Sequence, residues 1–464
     1  MKSPEARFST SPGRSFWTNR SVLALAGSGD PETRVLGRAR EAVFEAMESG
    51  WSGPPFDPFA LAEMRGISVV AREDLYDARV LSAHGGRLRI EYNPNRPRAR
   101  QRYSVAHELA HTLFDDVSDT VRYRSRHEEP ADDEWQLELL CNLAAAELLM
   151  PIGAFPELAD ESPDIERVLK LRNLFEVSTE AVLLRLAKLS SKPVAVFAAS
   201  RTDGRRLDSS LQIEYLHGSR AWSPRVVRGT RLPRATPLSV ITAIGYTAHG
   251  TETWSGSLGQ VTVQAVGLPP YPGHRAPRLA GVISPADAGL VAAEPRISHV
   301  RGDATQPRGD DSRIVVHVVN DKTPHWGGAF ARALRSRFPE AQAGFTKWAR
   351  ERGLVLGSVC LDRMDESIYV ASIVAQHGYG ESRKPRIRYA ALQAGLQQIA
   401  DAAAKDGASI HMPRIGAGQA GGNWGVVEEM IDDALIQRGL SVLVYSLPDE
   451  QWTPDSYQTS LRIS

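Results

Sequence analysis

The run His107-Glu108-Leu109-Ala110-His111 constrains this chain more than any other feature. It lies in an apolar stretch whose spacing predicts a helix from about residue 100 to 114. Histidines four residues apart leave one face of a helix, so their imidazoles can share one metal ion, and the donor set suits Zn2+. Glu108 then sits beside the metal, where a carboxylate can take a proton from an activated water and pass it to a leaving amine. Phe114 and Val117 occupy the positions at which an extended zinc motif would carry glycine and histidine, so the third ligand must come from elsewhere. Glu138 is the candidate, a lone charge in the apolar helical stretch Leu137-Glu138-Leu139-Leu140-Cys141-Asn142. Glu147, about two and a half turns further on, faces elsewhere and is expected in a salt bridge.

Composition limits what surrounds this motif. A chain of 464 residues exceeds what one core normally organises, so roughly two to four domains are expected. Zero formal net charge gives no global reason to bind nucleic acid. The two cysteines, Cys141 and Cys360, lie far apart in apolar stretches, which favours a reducing compartment over a disulfide framework. No run approaches the roughly 18 apolar residues of a membrane helix, and the N-terminus has no signal-peptide core, so a cytoplasmic protein with no membrane partner is expected.

The expected fold class is multidomain α+β. Residues 1–34 read as a flexible tail and 35–155 as a mainly helical zincin-like domain holding the metal motif. Residues 156–192 form a helix pair with helix-turn-helix lengths. Arg167, Lys170, Arg172, Arg185 and Lys188 make that pair basic; DNA binding is open to it, but an ordinary αα-hairpin with a solvated basic face is favoured. Residues 193–290 read as a β-rich middle domain with strands at 194–199, 211–215, 239–246 and 260–265, suited to a sensor or docking role, and proline stiffens a linker or edge region at 268–277. Residues 296–449 alternate strands and helices as an α/β domain, with 450–464 as a second tail.

Arg102-Tyr103-Ser104-Val105-Ala106 before the metal motif, and Glu138 to Asn142 running into Ala146-Glu147-Leu148-Leu149-Met150-Pro151, resemble the ImmA/IrrE family of metallopeptidases over residues 35–190. The resemblance implies zinc held by His107, His111 and Glu138. It also implies a protein substrate, a helix-turn-helix transcriptional repressor, cleaved to switch on stress-response or mobile-element genes.

The α/β region carries Val300-Arg301-Gly302-Asp303, Val318-Val319-Asn320, Trp326-Gly327-Gly328-Ala329 and Pro413-Arg414-Ile415-Gly416-Ala417-Gly418-Gln419-Ala420-Gly421-Gly422. Glycines let backbone N–H groups approach a diphosphate, and a helix starting near residue 425 adds a favourable dipole. In this order the four motifs are similar to a macrodomain, whose ligand is ADP-ribose or an ADP-ribosylated protein. The resemblance implies Asp303 for the adenine, Asn320 with Gly327 and Gly328 for the distal ribose, and Gly416, Gly418, Gly421 and Gly422 for the diphosphate.

Pro413-Arg414-Ile415-Gly416 and the ending Val444-Tyr445-Ser446-Leu447 resemble the branch of DarG-like and terminal-ADP-ribose-glutamate hydrolases, which use a lysine after the central strand and in some members a loop aspartate. Here Gln376 and Ala420 stand at those positions, so recognition is favoured over hydrolysis. His377 and Asp321 remain as candidate acid or base. The alternative is an ADP-ribosyl hydrolase or antitoxin in which the peptidase domain is a binding scaffold.

Overall fold

The computed structural model describes residues 17–82, 87–117, 133–155, 164–190, 192–222, 229–233, 235–254, 259–271, 273–286, 297–309, 311–380, 382 and 384–447. The start of the expected N-terminal tail, the segment 156–163 and the tail at 450–464 lie outside the described residues. The chain is a multidomain α+β protein that divides into two compact units, Met1–Val43 with Phe56–Leu149 and Phe44–Pro55 with Met150–Ser464.

The first unit contains α1 (Arg20–Ala26), most of α2 (Pro31–Glu48), α3 (Pro58–Met64), α4 (Arg98–His111) and α5 (Glu134–Leu149). Its sheet has the order β1-β3-β2, where β1 is Ser68–Ala71, β2 is Ala78–Ser82 and β3 is Leu88–Tyr92. β1 runs parallel and β2 antiparallel to β3, with the fully buried Ile90 opposite both Val69 and Val80. α3 begins at a local signal: the Asp57 side chain accepts the Phe59 N–H at 3.0 Å, and Pro58 stands where no N–H is needed.

α4 has no side-chain cap and is held by packing instead, with Val105, Ala106, Leu109 and Ala110 buried. α5 lies along it and buries Leu137, Leu140, Leu148 and Leu149. Each such leucine contributes about 1.5–3 kcal/mol, so this packing outweighs a missing cap worth about 0.5–2 kcal/mol. Glu147 of α5 points away from the metal motif, to Arg40 at 3.6 Å in a buried interhelix pair.

Residues 17–34, expected within a tail, carry helical structure. Asn19 caps α1 by accepting the Ser21 and Val22 N–H groups, and the Thr18 and Asn19 N–H groups donate to Gln136 Oε1 of α5 at 2.8 and 2.9 Å. Val22, Leu25 and Ala26 are buried. Seven residues are too few to show a helical period, which is why the sequence does not announce α1.

In the second unit, β4 (Ala195–Arg201), β5 (Leu211–Gly218), β6 (Thr247–Trp254), β7 (Gly259–Leu268) and β8 (Arg278–Pro285) form an antiparallel sheet of order β5-β4-β8-β7-β6. Phe197, Trp254, Val263 and Ile283 lie in its core. The expected strand at 239–246 is not one: Thr236 caps a short 3-10 turn at Pro237–Val240, Gly245 adopts φ +81°, and β6 starts only at Thr247. Proline at the start and glycine at the end of that apolar stretch turn the chain where hydrophobicity alone suggests extension. The proline-rich segment after Leu268 joins the antiparallel neighbours β7 and β8.

The helix pair, α6 (Ile165–Phe175) and α7 (Thr179–Leu189), packs against this sheet. Arg278 of β8 fastens α7 to it, bridging Glu180 at 3.0 Å and Glu214 of β5 at 2.7 Å. Arg185 does not belong to a solvated basic face: it is buried and pairs with Glu429 at 2.8 Å.

The remaining strands are β9 (Ile297–Arg301), β10 (Arg313–Asn320), β11 (Val359–Arg363), β12 (Ile368–Gln376), β13 (Ser409–Pro413) and β14 (Val442–Ser446), in the order β11-β12-β10-β13-β14-β9. All but β11 are parallel to their neighbours. Helices α8 (Ala329–Arg337), α9 (Pro339–Arg352), α10 (Tyr389–Asp406) and α11 (Trp424–Ala434) alternate with them. The nearly unbroken apolar runs of β10 and β12 are what a parallel sheet covered on both faces requires. Parallelism brings the carboxyl ends of β9, β10, β12, β13 and β14 to one edge, where open α/β sheets bind ligands.

Candidate functional site

α4 and α5 bring His107, His111 and Glu138 together, with one donor atom from each inside a group no wider than 4.8 Å. Glu138 Oε2 lies 3.0 Å from His107 Nε2, and Glu138 Oε1 lies 3.5 Å from His111 Nε2. Ligands about 2.0–2.1 Å from a tetrahedral zinc ion are about 3.3 Å apart, so two imidazoles and a carboxylate at these separations fit such an ion. The reason for Glu138 differs from the sequence argument. Its side chain is 38% exposed, so desolvation does not force a partner on it; the two imidazoles do.

Glu108 Oε2 accepts the Val80 N–H of β2 at 2.8 Å. A strand donor thus orients the carboxylate beside the two histidines. Burial disfavours a charged His107, but the Glu138 carboxylate, helped by Glu108 and Asn142, holds the imidazole above its usual pKa.

Sequence reasoning passed over the partners behind the histidines. Asn142 Oδ1 lies 3.0 Å from His107 Nδ1 and also accepts the Tyr103 hydroxyl. Cys141 Sγ lies 3.3 Å from His111 Nδ1. Glu138, Cys141 and Asn142 stand three and four residues apart on one helix face, but that spacing alone does not say which groups they meet.

The residues expected at the second site gather along the carboxyl edge of the six-stranded sheet. Asp303 follows β9 and turns the chain by accepting the Thr305 N–H at 2.9 Å. Asn320 ends β10, and its Oδ1 accepts the Lys322 and Thr323 N–H groups, each at 2.9 Å. Gly328 precedes α8 and faces the other loop: a Cβ there would stand 3.5 Å from Gln419 Oε1.

In the loop after β13, Gly416 and Gly421 adopt φ +73° and +68°. Gly421 and Gly422 donate their N–H groups to Gly418 O and Gly416 O, both at 2.9 Å, so they knit the loop rather than face outward. Among the described residues, the N–H groups from Gly416 to Ala420 meet no protein acceptor. Asn423 then caps α11, and its own N–H donates to the Tyr389 hydroxyl oxygen at 2.7 Å.

Asp321 and His377 are also brought together, Oδ2 to Nδ1 at 2.8 Å, and the Gly378 N–H donates to Asp321 Oδ1 at 2.9 Å. Burial opposes the charge on Asp321, yet these donors and Lys322 hold its carboxyl below the usual range.

Two histidines and a glutamate converge from adjacent helices, with a second glutamate between the histidines, and the three donors could hold a metal ion. Residues 62–187 match the family described as the IrrE N-terminal-like domain, Peptidase_M78. The radiation response metalloprotease IrrE of Deinococcus deserti is 36% identical over 109 residues, 22% of this chain and 38% of the relative. A chromodomain-helicase-DNA-binding protein 1-like of Mus musculus is 35% identical over 161 residues, 33% of this chain and 18% of the relative. The chain therefore spans well under half the length of these relatives. Among solved structures, a macrodomain protein from Streptomyces coelicolor is 39% identical over 32% of this chain and 99% of its own, with a TM-score of 0.29. Residues 62–187 are thus similar to the IrrE N-terminal-like family.

Proposed function

We propose that the protein is a zinc-dependent endopeptidase that cleaves a regulatory protein such as a helix-turn-helix repressor, with its macrodomain-like region taking ADP-ribose or an ADP-ribosylated partner as the signal. One observation carries the peptidase reading: three metal-type donors converge from two packed helices, and the carboxylate of Glu108, next in sequence to His107, is oriented by the Val80 N–H. His107, His111 and Glu138 would hold the ion. When bound, it supplies Lewis acidity, polarising a carbonyl and making water a stronger acid. Glu108 receives the water's proton and delivers it to the leaving amine, and the Val80 N–H keeps that carboxylate in place.

The signal site draws support from the open donors of Gly416 to Ala420 at the carboxyl edge of a parallel sheet, next to the N-terminus of α11. Gly327 supports it too: a Cβ there would meet nothing within 4 Å, so protein packing does not demand glycine, whereas close approach of a ribose does.

Metal content of protein purified without added zinc tests the peptidase reading. Near one zinc per chain, absent from His107→Ala and Glu138→Ala, is the expected result; no zinc after reconstitution overturns it. Isothermal titration with ADP-ribose tests the signal site separately.

The Asp321–His377 pair favours a second reading, in which the α/β region hydrolyses ADP-ribosyl bonds and the peptidase domain is a scaffold. Loss of ADP-ribose release in Asn320→Ala, with release kept in Glu108→Ala, would select it. DNA binding by the helix pair gains nothing from Arg185, whose charge is buried against Glu429. No helix among the described residues is long and apolar enough to cross a membrane.

A further inference from the structure

Three residues of α5 meet the histidines of α4, but only Glu138 does so as a candidate ligand. Cys141 and Asn142 follow it by three and four positions and reach the opposite edges of the same two rings. On α4 the facing ladder is Tyr103, His107 and His111, again one residue per turn. Each imidazole therefore has its Nε2 near Glu138 and its Nδ1 against a second group on α5.

We infer that Asn142 and Cys141 are positioning residues of the metal centre, holding the Nδ1 edges of His107 and His111 so that both rings offer Nε2 to the ion, with Tyr103 fixing Asn142. This rests on the metal-centre reading proposed above. The Asn142 oxygen can only accept hydrogen bonds, and two donors converge on it. One is the Tyr103 hydroxyl. The other is His107 Nδ1 at 3.0 Å, which must carry its proton to make the bond. A neutral imidazole with its proton on Nδ1 has its lone pair on Nε2, the atom beside Glu138.

His111 follows the same logic with a weaker acceptor. Its ring is 4% exposed, its Nε2 faces Glu138 Oε1, and its Nδ1 meets the buried Cys141 sulfur at 3.3 Å. Sulfur is a poor acceptor, so this contact sets ring orientation by packing as much as by hydrogen bonding. Without the Asn142 acceptor, His107 can adopt the other tautomer, whose Nε2–H cannot coordinate. Outer partners of this kind change metal affinity by roughly 10–100-fold.

The test uses the full chain, with zinc affinity measured by competition against a chromophoric chelator and the visible spectrum of the cobalt(II)-substituted protein as a second readout. Asn142→Ala is expected to weaken zinc roughly 10–100-fold and to alter the cobalt bands. Asn142→Asp, which keeps an acceptor in place, is expected to restore both. Cys141→Val is expected to cost less than Asn142→Ala, and Cys141→Ser, which keeps an acceptor, less again. Melting of the chelator-treated proteins separates these effects from a general loss of fold. Wild-type affinity and an unchanged cobalt spectrum in Asn142→Ala would overturn the inference, as would failure of Asn142→Asp to restore what alanine removes. A wild-type protein that holds no metal would instead sink the metal-centre reading, and this inference with it.

Discussion

The centre on α4 and α5 is assembled from side chains, whereas the loops at the edge of the six-stranded sheet present mainly backbone. At the first, Glu138 stands 3.0 and 3.5 Å from two ring nitrogens, and removing any one group removes a contact. At the second, the open donors from Gly416 to Ala420 belong to the main chain, and glycine matters for what it leaves out. A side-chain site is vulnerable to truncation. A backbone site is vulnerable to added bulk.

The sharpest way to break this contrast is to truncate the side-chain site. His107→Ala or Glu138→Ala should weaken zinc beyond the roughly 100-fold limit of an outer partner, measured by metal content after dialysis, while ADP-ribose titration is unchanged. Retained zinc in Glu138→Ala would shift the third ligand to another residue. Glu108→Gln comes next. It should lower cleavage by roughly 10²–10⁴-fold with metal content intact, as expected when a proton acceptor rather than a ligand is lost. A parallel loss of metal would make Glu108 part of the coordination set.

Protons should discriminate between the sites as well. Burial opposes charge on His107, but Glu138, helped by Glu108 and Asn142, holds its pKa above the ordinary 6.5. The sign follows: in the metal-free fold this pair is stabilising below about pH 6.5 and is lost as pH rises through the raised value. Zinc must displace that proton, so its affinity should climb about tenfold per pH unit and level off only above the range of an ordinary histidine. Competition titrations from pH 6 to 9 check this. A plateau already reached near pH 6 would contradict it.

The contrast also explains what was legible in the sequence. The pairing of His107 with His111 follows from helical spacing, because side chains declare their chemistry by residue type; Glu138 stands on another helix and was marked in the sequence only as a lone charge in an apolar stretch. Asn142 and Cys141 were not legible, since an asparagine or cysteine inside an apolar helix reads as ordinary packing until its partner is placed 3.0 or 3.3 Å away. The apolar runs of β10 and β12 announced a covered parallel sheet. Residues 239–246 misled because hydrophobic content suggests a strand, while Pro237 and Gly245 set the backbone. Arg185 misled for the opposite reason: charge on a helix predicts solvent, and only tertiary packing supplies Glu429. In the loop after β13, the glycine count was visible, but not which glycines close the loop and which leave donors open.

The smallest expected effects divide those glycines. A Cβ on Gly418 would meet nothing within 4 Å in the protein, whereas a Cβ on Gly422 would stand 2.7 Å from Gly416 O and 3.0 Å from Ile387. Gly418→Ala should therefore leave the melting temperature unchanged and weaken ADP-ribose by about fivefold, roughly 1 kcal/mol, because the methyl group occupies space needed only when a diphosphate approaches. Gly422→Ala should lower the melting temperature, since the backbone carbonyl it meets cannot move without opening the loop. Calorimetry and scanning fluorimetry on both variants separate the outcomes. Equal behaviour of the two would mean that the loop answers to side-chain bulk in general and not to the split between closing glycines and open donors.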